Sequence, residues 1–291
     1  MEDTAQAVSV ALRAAGLVEG DTILVHSGLQ GIFFALRANG HRGRDLAEKA
    51  CATLRDGILA AIGEAAGTVC VPGFHYDYAR RGEPFDARTS PPDNRLGRFP
   101  DYFFRNAMSH RSLCPPVSIM ACGPRAAQIC DTGTTFGHGL GSPWARLIDI
   151  GAKMLFWDAT PAAMTFVHHV EMMVGVPHSY CKVYPVPVRD LRGRTHAASV
   201  NYVRYLDDRF AIDYDLDRLV GDLRDEGVTT NGEALGIPFA VLACRDAFDF
   251  LSRKLIADPF YLLAGPPQFV PGEIPMDGAG TELPKGAFSG A

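Results

Sequence analysis

Two short apolar runs separated by a long stretch of helical spacing constrain this chain more than any other feature. "DTILVHSGL" starts from a Gly20-Asp21 turn and carries the β-branched residues of a strand, and "GTVCVPGF" is a second short buried strand. Between them "GRDLAEKACATLRDGILAAIGEA" keeps helical periodicity over about six turns. Strand, helix, strand in that order calls for parallel pairing with the helix as crossover, and hence for an α/β fold. At 291 residues, 47% hydrophobic and 21% charged, the chain has enough apolar material for a large core.

The rest of the chain continues the alternation. "MEDTAQAVSVALRAAGLVEGD" reads as a short amphipathic helix without the basic and apolar regions of a signal peptide. From Tyr76 to Pro100 the sequence is polar and rich in Pro and Gly, and a loop of that length in a compact domain is usually functional. Helices are expected over "FPDYFFRNAM" and "SPWARLIDIG", the latter opened by Ser142 and Pro143, followed by the strand "AKMLFWD" and a helix carrying "TFVHHVEMM". "CKVYPVPVRDLRGRTHAASVNYVRYLD" alternates like antiparallel strands turning at Arg192-Gly193, and "DDRFAIDYDLDRLVGDLRDEG" reads as a helix with a solvated acidic face. "GIPFAVLACRDAFDFLSRKLIADPFYLL" supplies a strand and a last helix. No internal repeat or boundary interrupts this, so one large domain over residues 1–265 is expected, with an irregular Pro/Gly-rich tail at 266–291.

A net charge of -5 provides no basic field for nucleic acid or an anionic membrane, and no 18-residue apolar run is present to span one. Seven scattered cysteines without a C-x-x-C pair fit a reducing cytoplasm and give no structural zinc spacing. There is no P-loop, no G-x-G-x-x-G after the first strand and no G-x-S-x-G elbow. Small molecules or proteins are the expected partners.

Three places carry candidate chemistry. On a helix, His168 and Glu171 share a face with Thr165, whereas His169 points about 100° away. A carboxylate beside an imidazole favours its charged form and fixes its orientation, which suits a general base. The same pair serves equally as a satisfied polar contact in a core. A metal site built on His168, His169, Glu171 and His178 fails because adjacent histidines diverge on a helix. His26, Ser27 and Gly28 end the first strand, where ligands sit in open α/β sheets. Cys114, held before two prolines in "SLCPP", is either an inert buried thiol or a nucleophile near the His-Glu pair.

Taken in order, five segments resemble those of the aminoglycoside 3-N-acetyltransferase family, from about Gly20 to about Leu263. They are "GDTILVHSGLQGIF", "PFDARTSPPDNRLGRFPDYFFR", "HRSLCPPVSIMACG", "FGHGLGSPWARL" and "TFVHHVE". The resemblance implies an antibiotic N-acetyltransferase-like fold, a single α/β domain with a central mixed β-sheet flanked by helices. It implies acetyl-CoA or another acyl-CoA as donor, a small-molecule amine as acceptor, no metal, and a homodimer. His168 then assists deprotonation of the amine with Glu171 as its orienting carboxylate, and His26 lines the site. Ser27, Gly28 and Leu29 are expected at the pantetheine arm, and Arg111, Ser112 and Ser142 near the donor or its phosphates. Tyr76, Asp77, Asp86, Thr89 and Asp158 are expected around the acceptor, and a backbone N–H after the first strand as an oxyanion donor.

The sequence departs from the family pattern in three places. Cys114 replaces a histidine, Met164 replaces an asparagine, and the aromatic and arginine content of "FHYDYARRGEPFD" suggests an anionic or nucleotide-linked acceptor. Cys114 thereby opens a covalent alternative, a Cys114-His168-Glu171 acyltransferase or amide synthase fed by the phosphopantetheine of an acyl carrier protein. A non-catalytic binding protein that retains the fold is a third.

Overall fold

The computed structural model describes residues 2–205 and 208–269, so the expected tail from residue 270 onward lies outside the described residues. The chain runs α1 (Glu2–Ala14), β1 (Thr22–Ser27), α2 (Gln30–Ala38), α3 (Leu46–Ile62) and β2 (Thr68–Pro72). Then come α4 (Tyr76–Arg81), β3 (Phe85–Asp86), α5 (Arg98–Asn106), β4 (His110–Arg111), β5 (Ile119–Cys122) and α6 (Ala126–Cys130). α7 (Pro143–Asp149), β6 (Lys153–Trp157) and α8 (Val167–Val174) follow, then β7 (Ser179–Tyr184), β8 (Val188–Arg189), β9 (Thr195–His196) and β10 (Ser199–Arg204). α9 (Leu216–Asp225), β11 (Thr230–Ala234), β12 (Ile237–Ala243) and α10 (Cys244–Ala257) complete it.

Seven strands form one sheet in the order β11-β12-β6-β1-β2-β5-β4. β1 pairs in parallel with β2 and with β6, as the strand-helix-strand order requires, while β12 and β5 add antiparallel flanks. The sheet is therefore mixed, as expected. Successive side chains leave a strand on opposite faces. Leu24, Cys70, Met154 and Phe156 accordingly join one core beneath α7, α8 and α10, while Ile23, Val25, Val69 and Leu155 join another beneath α1, α3 and α5. His26 follows Leu24 by two residues and shares the α8 side of β1, stacked on Phe156 at 4.8 Å.

Several elements differ from the sequence expectations. The crossover from β1 to β2 contains two helices, because α2 closes against β12 through Gly31, where a Cβ would meet Ile237 at 2.5 Å. The stretch Tyr76–Pro100 is partly ordered into α4, β3 and a 3-10 turn at Asn94–Leu96. The acidic segment becomes helical only at Leu216, since Asp215 caps α9 by accepting from the Arg218 N–H. Thr165 lies in the turn before α8, which begins at Val167. The strands flanking Arg192-Gly193 do form, β7 pairing antiparallel with β10 and β8 with β9. Among the described residues, no helix is long and apolar enough to cross a membrane.

Candidate active site

α8 is a short helix of eight residues stopped by Gly175, whose φ of 80° suits a glycine. It follows β6 at the carboxyl end of the parallel strands, where open α/β sheets place their ligands. The spacing of His168 and Glu171 brings His168 Nδ1 within 2.7 Å of Glu171 Oε2. Glu171 is completely buried and holds two further partners. His178 Nε2 lies 3.0 Å from Oε1, and the Tyr214 hydroxyl donates to both carboxylate oxygens at 2.8 and 3.0 Å.

Burial alone would raise the Glu171 pKa, but hydrogen bonds from His168 and His178 outweigh it and hold the carboxyl at about 2. Burial and the charge of Glu171 push the Tyr214 phenol well above its ordinary value, so it remains a donor. An ionised Glu171 accepts the Nδ1 proton of His168 and leaves Nε2 with its lone pair. The His168 side chain is 34% exposed and opens on a cleft of about 480 Å³. Thr165, Tyr76, Asn201 and Tyr214 line the same cleft.

The second histidine of the doublet does different work. His169 is 1% exposed, accepts from the Gly139 N–H through Nδ1, and packs beside Phe166 and Phe248. Burial lowers its pKa to about 4.

Cys114, the expected nucleophile of the covalent alternative, lies inside the fold. It is 1% exposed, its thiol donates to the Val200 carbonyl at 3.5 Å, and burial pushes its pKa up. The thiol sits beneath the cleft, packed so tightly on Gly137 that a Cβ there would meet Asn201 Oδ1 at 2.4 Å and the sulfur at 2.9 Å. A buried thiol with a raised pKa stays protonated near pH 7.

The strand-end residues form a separate cluster. Gly28 packs against Asp158 so closely that a Cβ would lie 2.5 Å from the Asp158 carbonyl oxygen. Asp158 itself adopts φ 50° and accepts from the Gly31 N–H. The Gly28 N–H donates to Trp157, so neither Gly28 nor Gly31 offers the oxyanion donor expected there. Leu29 precedes α2 as its cap residue, and Ser27 Oγ is buried with no partner among the described residues. His26 is 8% exposed, and burial lowers its pKa to about 4, so it is neutral near pH 7. His26, Ser27, Gly28, Leu29 and Asp158 thus stand together at the β1 and β6 termini and outside the lining of the His168 cleft.

Other expected ligand contacts are spent inside the fold. Arg111 is 1% exposed, donates to the Gly73 and Ser90 carbonyls and to Ser118 Oγ, and stacks on Phe85 at 4.5 Å. Ser112 accepts from the Ile119 N–H, and Ser142 caps α7 by accepting from Ala145. Asp77 pairs with Arg81, Asp86 accepts from the Arg88 N–H, and the Thr89 N–H donates to Asp86. Tyr76 alone of the five expected acceptor contacts lines the cleft.

Sequence reasoning missed three neighbours of the His168-Glu171 pair. Tyr214 gave no signal, and His178 was visible only as a failed metal ligand. His138, from the "FGHGLG" turn, is 2% exposed with its ring 6.2 Å from that of His168 and 6.4 Å from that of His169. Burial drives its pKa well below the ordinary value, and neither ring nitrogen has a partner among the described residues.

The sequence model described as aminoglycoside 3-N-acetyltransferase matches residues 45–256, which is most of the chain. The chain belongs to that family. Among its relatives, the aminoglycoside N(3)-acetyltransferase VII of Streptomyces paromomycinus is 29% identical over 193 residues, covering 61% of this chain. That match spans 63% of the relative's length. The solved structure of aminoglycoside acetyltransferase AAC(3)-Xa superposes with a TM-score of 0.71 at 25% identity, covering 90% of this chain and 94% of that one. AAC-IIIb, solved as a binary complex with CoASH, shares the fold with a TM-score of 0.70 at 22% identity, covering 87% and 96% of the two chains. The family and the mixed-sheet fold expected from the five segments are thereby established.

Proposed function

We propose that this protein transfers an acyl group, acetyl in the first instance, from a CoA thioester to the amine of a small molecule, with His168 as general base and Glu171 as its orienting carboxylate. One observation carries the reading: the 2.7 Å contact from His168 Nδ1 to a buried, ionised carboxylate, on a ring that opens into a cleft. Such an arrangement fixes the tautomer and stabilises the imidazolium when Nε2 takes a proton. The names of the relatives, acetyltransferases acting at an amine, and the CoASH complex of AAC-IIIb support the same donor and acceptor classes.

Asn201 is 5% exposed, lines the cleft, and has an Oδ1 with no partner among the described residues. That oxygen is itself buried, packed beside Gly137 and the Cys114 sulfur. When bound, the donor supplies an electrophilic thioester carbon. The amine nitrogen forms a C–N bond to that carbon as His168 Nε2 removes its proton. The C–S bond then breaks, and the departing thiolate recovers the proton from His168. Glu171 remains ionised throughout, held by Tyr214 and His178.

His168→Ala should lower kcat by about 10²-fold or more, the range for loss of a general base. Release of free thiol from acetyl-CoA in the presence of an acceptor amine reports the turnover. Near-normal turnover by His168→Ala would refute the assignment.

A further inference from the structure

The charges along the cleft wall speak to the acceptor, given the acyl-transfer reading above on which this inference rests. Among the described residues, the lining contributes two guanidinium groups, Arg80 and Arg204, and no aspartate or glutamate. Glu171 lies beneath the wall with its charge committed to His168, His178 and Tyr214. Two further acids, Asp77 and Asp93, are paired with Arg81 and Arg95.

Both arginines are held in place. The Arg204 guanidinium lies 5.4 Å from the Tyr214 ring centre and donates to the Ile212 carbonyl. The Tyr214 ring is in turn 5.6 Å from that of His168, so a single tyrosine separates this positive charge from the base. Arg80, on the exposed side of α4, lies 5.3 Å from the Tyr76 ring, and Arg95 brings a further guanidinium 4.9 Å from the same ring. The remaining wall is aromatic and apolar, with Tyr184, Tyr202, Pro116 and Met164.

A polyamine with several ammonium groups, the form aminoglycosides take near pH 7, would lose hydration on entering and meet fixed charges of its own sign. Like charges brought together across an interface are a strong device for rejecting a ligand. An anion meets the opposite field, and a planar or sugar ring finds tyrosine faces to pack on.

We propose that the acceptor is an amine that also carries an anionic group, a phosphate or a carboxylate, on a ring-sized body. The anion is seated by Arg204 and Arg80 and the amine is presented to His168. CoA also brings phosphates, but they are separated from its thiol by the whole pantetheine arm. An anion held one tyrosine away from the base therefore belongs to the acceptor.

The test is calorimetric titration of the full chain, with CoA kept saturating so that the donor's own phosphate contacts are filled. Glucosamine 6-phosphate, glucosamine and gentamicin serve as probes. Glucosamine 6-phosphate should bind about tenfold or more tightly than glucosamine, the scale of one charge-assisted contact, and gentamicin more weakly than either. Arg204→Gln and Arg80→Gln should each remove most of the phosphate's advantage, Arg204→Lys should retain part of it, and the affinity for CoA should stay unchanged in all three. Arg80 is exposed on its helix, so its variant isolates charge from folding. Equal affinity for the two glucosamines, absence of binding included, overturns the proposal. So does tightest binding by gentamicin, or a phosphate advantage that survives both glutamine substitutions. Turnover with acetyl-CoA separates this from the underlying reading. If glucosamine 6-phosphate binds preferentially but no amine is ever acylated, the transfer reading fails and the charge assignment stands. If glucosamine and gentamicin are acylated as well as the phosphate, the reverse holds.

Discussion

Replacing Glu171 by glutamine tests the proposed base without touching the cleft wall. The native carboxylate accepts from His168 through Oε2 and from His178 through Oε1, and Tyr214 donates to both oxygens. Glutamine keeps one oxygen and presents an amide NH2 in place of the other, so one imidazole must lose its acceptor whichever way the amide turns. If the oxygen faces His168, a hydrogen bond to a charged acceptor, worth about 1.5–3 kcal/mol, becomes a neutral one worth about 0.5–1.5. That difference alone lowers kcat by roughly tenfold. If the NH2 faces His168, the ring moves its proton to Nε2, the basic nitrogen is lost, and the decrease reaches about 10²–10⁴-fold. KM for donor and acceptor should change little in either case, because Glu171 is completely buried. The substitution also removes a pH dependence of stability. The folded pKa of Glu171 is depressed from 4.5 to about 2, so its stabilisation is complete above 4.5 and disappears as pH falls through 2. The size of that contribution is roughly 3 kcal/mol at neutral pH. Steady-state kinetics with both substrates, beside urea unfolding of each protein from pH 6 to 3, reads both effects. A Glu171→Gln enzyme with wild-type kcat would refute the orienting role, and an unfolding difference independent of pH would refute the ionised carboxylate.

The other predictions follow from burial. His26 and His169 have folded pKa values near 4 against an ordinary 6.5, so each stabilises the fold fully above 6.5 and less as pH falls toward 4. Between about pH 6 and 4.5 the two together should remove roughly 3 kcal/mol, visible as a falling urea midpoint; a flat midpoint over that interval would be inconsistent with buried neutral rings. Cys114→Ala should keep kcat, and mass spectrometry after incubation with acetyl-CoA should find no adduct on Cys114 in the native protein. An acyl-Cys114 species that turns over would restore the covalent scheme. Gly28→Ala should destabilise by about 1–3 kcal/mol through overpacking, because the new Cβ meets a backbone oxygen and not a movable side chain. A melting temperature equal to wild type would show that the β1 and β6 termini have room to part.

What the sequence disclosed depended on how local the cause was. The parallel core strands were legible because apolar, β-branched runs and a long helical repeat are properties of a few neighbouring residues. His168 and Glu171 were legible for the same reason, since three residues on a helix make one face. Tyr214 was not, because it reaches Glu171 from 43 positions away, out of a segment that read only as acidic. The same segment misled on its helix, where Asp215 is a cap and not part of a solvated face. Cys114 could not be placed because two prolines fix a backbone without saying whether the thiol points to the cleft or, as it does, to the Val200 carbonyl beneath it. Arg111, Ser112 and Ser142 show what a motif does not disclose: a polar residue in it can be present to satisfy buried backbone groups of its own fold. The division has a functional consequence. His168 and Glu171 come from one turn of one helix, whereas the charge of the cleft wall comes from Arg80 on α4 and Arg204 on β10, elements far apart in the chain. Single substitutions on those elements can invert the preference for an acceptor while leaving His168 and Glu171 where they are. Family membership therefore constrains the chemistry of this site more tightly than the identity of the amine that enters it.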